Sequence, residues 1–473
     1  MADSDGKIRE IAWGELFPWL ILARSVRIAL MARVLILSTV GLIAMTLGWQ
    51  AIGWIFSTST DPIVAEWQKS ASMSSSGITN SNADKVSPWV WENSKEFSIA
   101  LDARSADAIF SSASSALATA PVAMWLYIPR PFIEMFRHNL TTVGFLQLLL
   151  CGIWELFVWG IIGGAITRIA ALKFTRNEAP SFVAAVKHSF SKLPSYSLAP
   201  LIALAGAAVF AVQLVVLGVL MRVELFAMIA GLAWPFVLLL GLMMAILLIG
   251  ALIGWPLMWA TVSVEGTDAF DALSRSYAYA YQRPWRLLWY VVFAGTVAAV
   301  SMFVVKAFAA SAVALGDWSV NWGLDQETMD RVVAPMKAVK TGPNLAPPAT
   351  ASPASGVDLP PPDIAAPSSG TSTTDTEELS LMESVARRAI RDWKSLLAAA
   401  AAGYQAGFLW VSAVGIYLLL RRDIDGVEIS DVHAGEQEDE FGLPSLDEEM
   451  VSGVPAVSPH GAATPGDLGG SAS

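Results

Sequence analysis

Six stretches of this chain are apolar over lengths that match the hydrocarbon core of a bilayer, and they restrict its fold more than any other feature. A helix needs roughly 20 apolar residues to cross that core, and 34–56, 143–167, 198–221, 236–262, 287–311 and 395–420 each supply them. Composition agrees, because 54% of residues are apolar and only 15% charged, and the apolar ones run uninterrupted instead of recurring at amphipathic spacing. The expected fold is an all-α integral membrane protein with about six transmembrane helices. One run needs dividing: 225–262 carries no charge and is too long for one straight crossing yet short for a hairpin. Pro235 suggests the division, so 226–234 reads as an outer-interface segment leading into a tilted fourth span.

Cation placement orients the spans. Arg24, Arg27 and Arg33 precede the first span, Arg168, Lys173 and Arg176 follow the second, and Lys187 and Lys192 precede the third. Arg283 and Arg286 precede the fifth, while Arg421 and Arg422 close the sixth. All fall on one side when both termini are cytoplasmic, as the positive-inside rule requires. Arg387, Arg388, Arg391 and Lys394 depart from it, but they end a loop of about 80 residues, beyond the range over which the rule is strong. Trp49, Trp54, Trp255, Trp259, Trp285 and Trp289, near predicted span ends, read as interfacial belts.

The remaining segments follow from composition. Residues 1–33 read as a cytoplasmic or interfacial segment, with aromatic residues and spaced arginines around Pro18. Residues 57–142 form an outer-face segment with an interfacial helix near 124–137. Residues 312–394 form an outer loop containing a Pro/Ser/Thr-rich linker that cannot bury a core. The net charge of −11 belongs to the end of the chain: from Asp423 onward there are 12 acids and no Lys or Arg. The segment 421–473 therefore reads as an acidic, disordered cytoplasmic tail. A single cysteine, Cys151, excludes an intrachain disulfide and a thiolate metal cluster.

Within 143–311, read as a four-helix membrane core, one motif occurs twice, 87 residues apart. Glu178-Ala-Pro-Ser-Phe-Val-Ala-Ala-Val-Lys-His-Ser189 is echoed by Glu265-Gly-Thr-Asp-Ala-Phe-Asp-Ala-Leu-Ser-Arg-Ser276. Each copy has helical spacing: Phe182, Val186, Phe190 and Leu193 in the first, Ala269, Leu273, Tyr277 and Ala280 in the second. Ser181 caps the first; Thr267 or Asp268 caps the second. The pattern predicts two amphipathic elbows lying flat at the inner surface, in two helix-elbow-helix units forming a parallel internal repeat. Glu178, Ser189, Glu265, Arg275 and Ser276 are then candidates for an inner-face site for a polar head group or anion. The competing reading is that the elbows only brace the core.

The stretch from Asp268 to Tyr277, followed by Gln282-Arg283-Pro284-Trp285, resembles an uncharacterised family of bacterial polytopic inner-membrane proteins. It is more loosely similar to the membrane domain of some glycerophosphodiester phosphodiesterases. The resemblance covers about 140–310 and Leu418 to Asp425. It implies a helical membrane domain and brings no catalytic residues. The phosphodiesterase's soluble catalytic domain has no counterpart in this chain.

Glu155 is the ionisable residue nearest the middle of any span, and an intramembrane carboxylate is a site candidate because burying it is costly unless it is protonated, paired or wet. Gln213, Gln405 and Tyr404 are its possible partners. Lys306 is expected to snorkel to the interface instead. The four histidines lack metal-ligand spacing, and motifs for zinc proteases, serine hydrolases and nucleotide-driven pumps are missing. The expectation is a non-enzymatic membrane protein with no cofactor, metal or nucleic acid. Its partners are the lipid bilayer and other membrane proteins or a second copy, in a scaffold or accessory role. The alternative is a solute- or lipid-handling transporter using Glu155, and the surroundings of that residue discriminate the two.

Overall fold

The computed structural model describes residues 17–56, 124–137, 139–324 and 381–432, a few positions between 61 and 114, and two short strands near the C-terminus. The linker and most of the acidic tail lie outside the described residues. A 3-10 turn, Pro18–Ala23, leads into α1 (Arg24–Ala29) and α2 (Ala32–Ile55). Next come α3 (Arg130–Glu134), α4 (Thr142–Thr175), α5 (Phe182–Ser191) and α6 (Leu193–Leu220). They are followed by α7 (Glu224–Leu232), α8 (Trp234–Glu265), α9 (Ala269–Gln282), α10 (Pro284–Asn321) and α11 (Leu381–Asp425). The strands β1 (Glu449–Val451) and β2 (Val454–Ala456) pair antiparallel. Six helices, α2, α4, α6, α8, α10 and α11, are long and apolar enough to cross a membrane, an architecture compatible with a multi-pass membrane protein. The break between α7 and α8 at Ala233, with Pro235 in the first turn of α8, makes 234–265 one continuous helix.

Local chemistry sets the ends. Thr141, Ser181 and Asp268 accept from the backbone N–H of Gly144, Ala184 and Asp271, at 3.1, 3.1 and 2.9 Å, capping α4, α5 and α9. Gly266, at φ +66°, closes α8 in the left-handed region. Proline opens α6, α8 and α10 in the first turn, where its missing N–H costs nothing. Pro256 sits inside α8 and cannot donate to the carbonyl of Leu252, which instead accepts the indole N–H of Trp125 at 3.0 Å.

The last helix is the hub. α11 packs against α1, α2, α4, α8 and α10, and nearly all of its apolar window is buried. Glycines allow this: a β-carbon on Gly403 would lie 2.9 Å from the Thr39 backbone nitrogen, and one on Gly407 3.1 Å from Val34. The Gly-x-x-x-Gly spacing thus brings α11 and α2 backbone to backbone. At 45 residues α11 is far longer than a crossing requires, and its cationic start is held by Lys394 Nζ, 2.7 Å from Asp317 of α10. The described start of the chain packs onto this hub. Leu22 and Ile28 are buried, and Leu22 fills the space left by Gly415 of α11.

Each of the two elbows folds back along the helix before it. Ser189 Oγ donates to the carbonyls of Gly160 and Ile161 at 2.8 and 2.6 Å, roughly 20 Å before the end of α4 at 1.5 Å per residue. In α9, Tyr277 and Tyr281 donate to Leu247 and Ile246 of α8, each at 2.6 Å. Small residues make the contact: Ala185 and Ser189 in α5, Ala272 and Ser276 in α9, are buried, whereas Phe182 and Phe190 point outward. Against Gly164 and Gly254 these short side chains permit closer helix approach than the bulky stripe would.

Candidate functional site

Glu155 lies on α4, 1% exposed, and among the described residues neither carboxyl oxygen has a hydrogen-bond partner. It stands in the wall of a chamber of about 230 Å³ between α3, α4, α6 and α8. Every other described lining residue is apolar or aromatic, including Phe132, Trp159, Pro200, Trp255 and Trp259. Glu155 therefore faces an open, mainly apolar space and not a sealed helix contact. The rim of the chamber includes Ile133, Phe136 and Leu252, all exposed large apolar side chains, so it faces an apolar surrounding.

The expected partners of Glu155 are elsewhere. Gln213 is exposed on α6 and donates to Val209 of its own helix at 3.3 Å. Gln405 lines a separate cavity of about 40 Å³ between α10 and α11, beside Tyr404 and Ser412. Lys306 is buried and does not snorkel. Trp49, Trp255 and Trp259, read as belt residues, are buried as well, the last two packed with Trp159 and Trp410 into one indole cluster. Only Trp54, Trp285 and Trp289 of that set are exposed. Position near a span end does not distinguish a tryptophan facing head groups from one facing a neighbouring helix.

The elbow residues divide. Glu178 is exposed, and Arg33 donates to the carbonyls of Ala179 and Pro180 at 3.3 and 2.6 Å just beyond it. Ser189 is spent on α4 carbonyls, and Ser276 donates to Ala272 of its own helix at 2.7 Å. Neither serine is available to a head group. Glu265 and Arg275, by contrast, meet at 2.5 Å. Glu265 is also in ion-pair contact with Arg421 Nε of α11 at 3.1 Å and accepts the hydroxyl of Tyr417. Burial opposes the charge on Arg275, but the carboxylates of Glu265 and Asp271 outweigh it and hold the guanidinium above its ordinary pKa.

Sequence reasoning missed how far this layer extends. Ser263 gathers the hydroxyls of Thr167 and Tyr196 at 2.5 and 2.7 Å, and its carbonyl accepts Arg168 at 3.0 Å. Lys192, at the end of the first elbow, donates to Gly266 beside the second at 2.7 Å. Three acids counted with the tail are structural: Asp423 holds Tyr290 and Arg286 at 2.6 and 2.9 Å, Asp425 accepts Tyr279, and Asp431 binds Arg421. The segment read as a solvated tail thus begins as ordered helix and turn, because the bundle supplies partners for its first acids.

Tyr279 gives a pH test. Burial, then the bond to Asp425, pushes its phenol above the ordinary value near 10. A raised folded pKa stabilises fully below about pH 10 and is lost as pH rises through the folded value. Thermal melts from neutral to strongly alkaline pH should show a steeper alkaline decline for the native chain than for Tyr279→Phe; parallel curves would refute it.

Among the described residues no group of three His, Cys, Asp or Glu side chains is placed to hold a metal ion. Comparisons with models of protein families, with curated proteins and with solved structures returned no match to this chain. Geometry and chemistry alone carry the reading of function.

Proposed function

We propose that this is a non-enzymatic multi-pass membrane protein that holds a lipid-like molecule in the chamber around Glu155 and acts as an accessory or organising subunit. The observation that carries the reading is the pairing of a large apolar chamber with a rim of exposed apolar side chains, which suits an occupant entering from hydrocarbon. The scaffold element is supported by α11, enclosed by five helices and pinned at both ends by Asp317 and by the Glu265 cluster. A pinned hub speaks against the rocking motion that a polar-solute transporter uses.

In the same reading α4–α5–α6 and α8–α9–α10 are parallel copies of one unit. The buried Ala185/Ala272 and Ser189/Ser276 pairs, with Ser189 set against Gly164 and Ser276 against Gly254 of the preceding helix, support it. The cation clusters favour a bacterial inner membrane with both termini cytoplasmic, and kinship with the uncharacterised bacterial family belongs to this proposal.

The test uses the full chain in dodecyl maltoside with dodecanol as probe. Dodecanol should raise the melting temperature of the native protein in a concentration-dependent way, by several degrees (about 2.7 kcal/mol) at a hundredfold excess over Kd. Ala251→Trp, which fills the chamber, should abolish the shift. A native protein whose melting temperature responds to none of dodecanol, dodecylamine and dodecanoate would sink the reading.

A further inference from the structure

The chamber walls carry information about the head group of the occupant. Among the described residues that line the chamber, Glu155 is the one titratable side chain, and no Lys, Arg or His joins it there. Its two carboxyl oxygens are buried without a partner among the described residues. Indoles dominate the adjoining wall: Trp159, Trp255 and Trp259 all line the chamber, and the ring N–H groups of Trp255 and Trp259 also lack acceptors among the described residues.

Each common class of amphiphile meets this wall differently. A fatty acid or phosphodiester would bring a negative charge against Glu155 with no cation in the lining to offset it. A neutral alcohol or hydrocarbon would leave Glu155 as a protonated carboxyl, with no ion pair gained on binding. A cation instead pairs with the carboxylate and is attracted to the faces of the indoles, tryptophan being the best aromatic partner for ammonium. Oxygen on the same ligand would accept from the two orphaned indole N–H groups.

We infer that the chamber selects a single-chain amphiphile with a protonated amine head, its ammonium against Glu155 and the tryptophans and its chain toward the apolar rim. This rests on the proposed chamber function and adds the charge of the ligand to it. Glu155 is then a specificity-determining residue.

The experiment compares dodecylamine, dodecanol and dodecanoate on the full chain in dodecyl maltoside, reading apparent affinity from the ligand-dependent melting temperature. Dodecylamine should bind at least about tenfold more tightly than dodecanol. Glu155→Gln should bring the affinity for dodecylamine down to that for dodecanol in the same variant, and any dodecanol-dependent rise in its melting temperature shows that it is folded with its chamber intact. Trp259→Leu should weaken dodecylamine more than dodecanol. Equal affinity of amine and alcohol for the native chain, tightest binding of dodecanoate, or an amine preference that survives Glu155→Gln would each overturn the inference while the chamber reading stands. Failure of all three amphiphiles to bind would overturn both.

Discussion

Replacing Gly403 with leucine is expected to destabilise the whole helical bundle. A β-carbon at this position already falls 2.9 Å from the Thr39 nitrogen and 3.0 Å from its α-carbon, and backbone cannot rotate away as a side chain can. The larger side chain must separate α2 from α11, and α11 is the helix on which α1, α4, α8 and α10 also pack. Overpacking of this kind costs about 1–3 kcal/mol when neighbours can give, and more when they cannot. A lower melting temperature and a smaller monodisperse fraction in detergent should follow. Gly218→Leu supplies the comparison, since nothing lies within 4 Å of a β-carbon there, and it should be silent. Equal behaviour of the two variants would show that the contact between α2 and α11 does not hold the bundle together.

The second large effect is expected at Glu265. Its side chain is 7% exposed and faces Arg421, 11% exposed, as well as the half-exposed Arg275. Glu265→Leu removes the carboxylate and strands Arg421 and the Tyr417 hydroxyl, and an uncompensated buried charge costs about 3–5 kcal/mol. Arg275 adds little to that figure because water screens it and Asp271 remains 3.2 Å away. Asp431 also retains a bond to Arg421 at 2.6 Å through its carbonyl, so the lower end of the range is expected. The pair Glu265→Leu with Arg421→Met should be less harmful than Glu265→Leu alone, because no charge is then left without its partner. Thermal melts of the native, single and double variants make the comparison. A double variant that melts below the single one would mean that Arg421 acts through Asp431 and not through Glu265.

Much of the architecture was legible in the residues. The six apolar runs match the six long helices, and Ser181 and Asp268 cap the elbows because a short side-chain oxygen before an amphipathic stripe has one favourable use there. Pro235 marks the start of α8 for a similarly local reason. The orientation of the elbows was not legible. The same Phe182-to-Leu193 stripe serves a helix at a lipid surface or one lying beside another helix, and what separates them is whether Gly160 and Gly164 come close enough to accept Ser189. The chamber was legible only in part. Glu155 stood out by its charge, but the residues that give its surroundings their character, Trp255 and Trp259, are about 100 positions away and looked like belt residues.

The amino-acid order alone determined how many long apolar helices the chain can form, which side chains cap the elbows, and which few residues are polar in an apolar setting, because these depend on length, caps and local propensity. Folding in three dimensions determined that α11 is the hub, that Glu265 rather than Glu178 is paired, and that Glu155 faces an apolar chamber instead of Gln213 or Gln405. The reason is physical: lipid tails are as apolar as leucine, so a helix that is apolar all round carries no pattern to say which side meets lipid and which meets protein. Only close approaches at Gly403, Gly407, Gly164 and Gly254, and the pairing of polar groups across helices, break that degeneracy, and both exist only once the helices are packed.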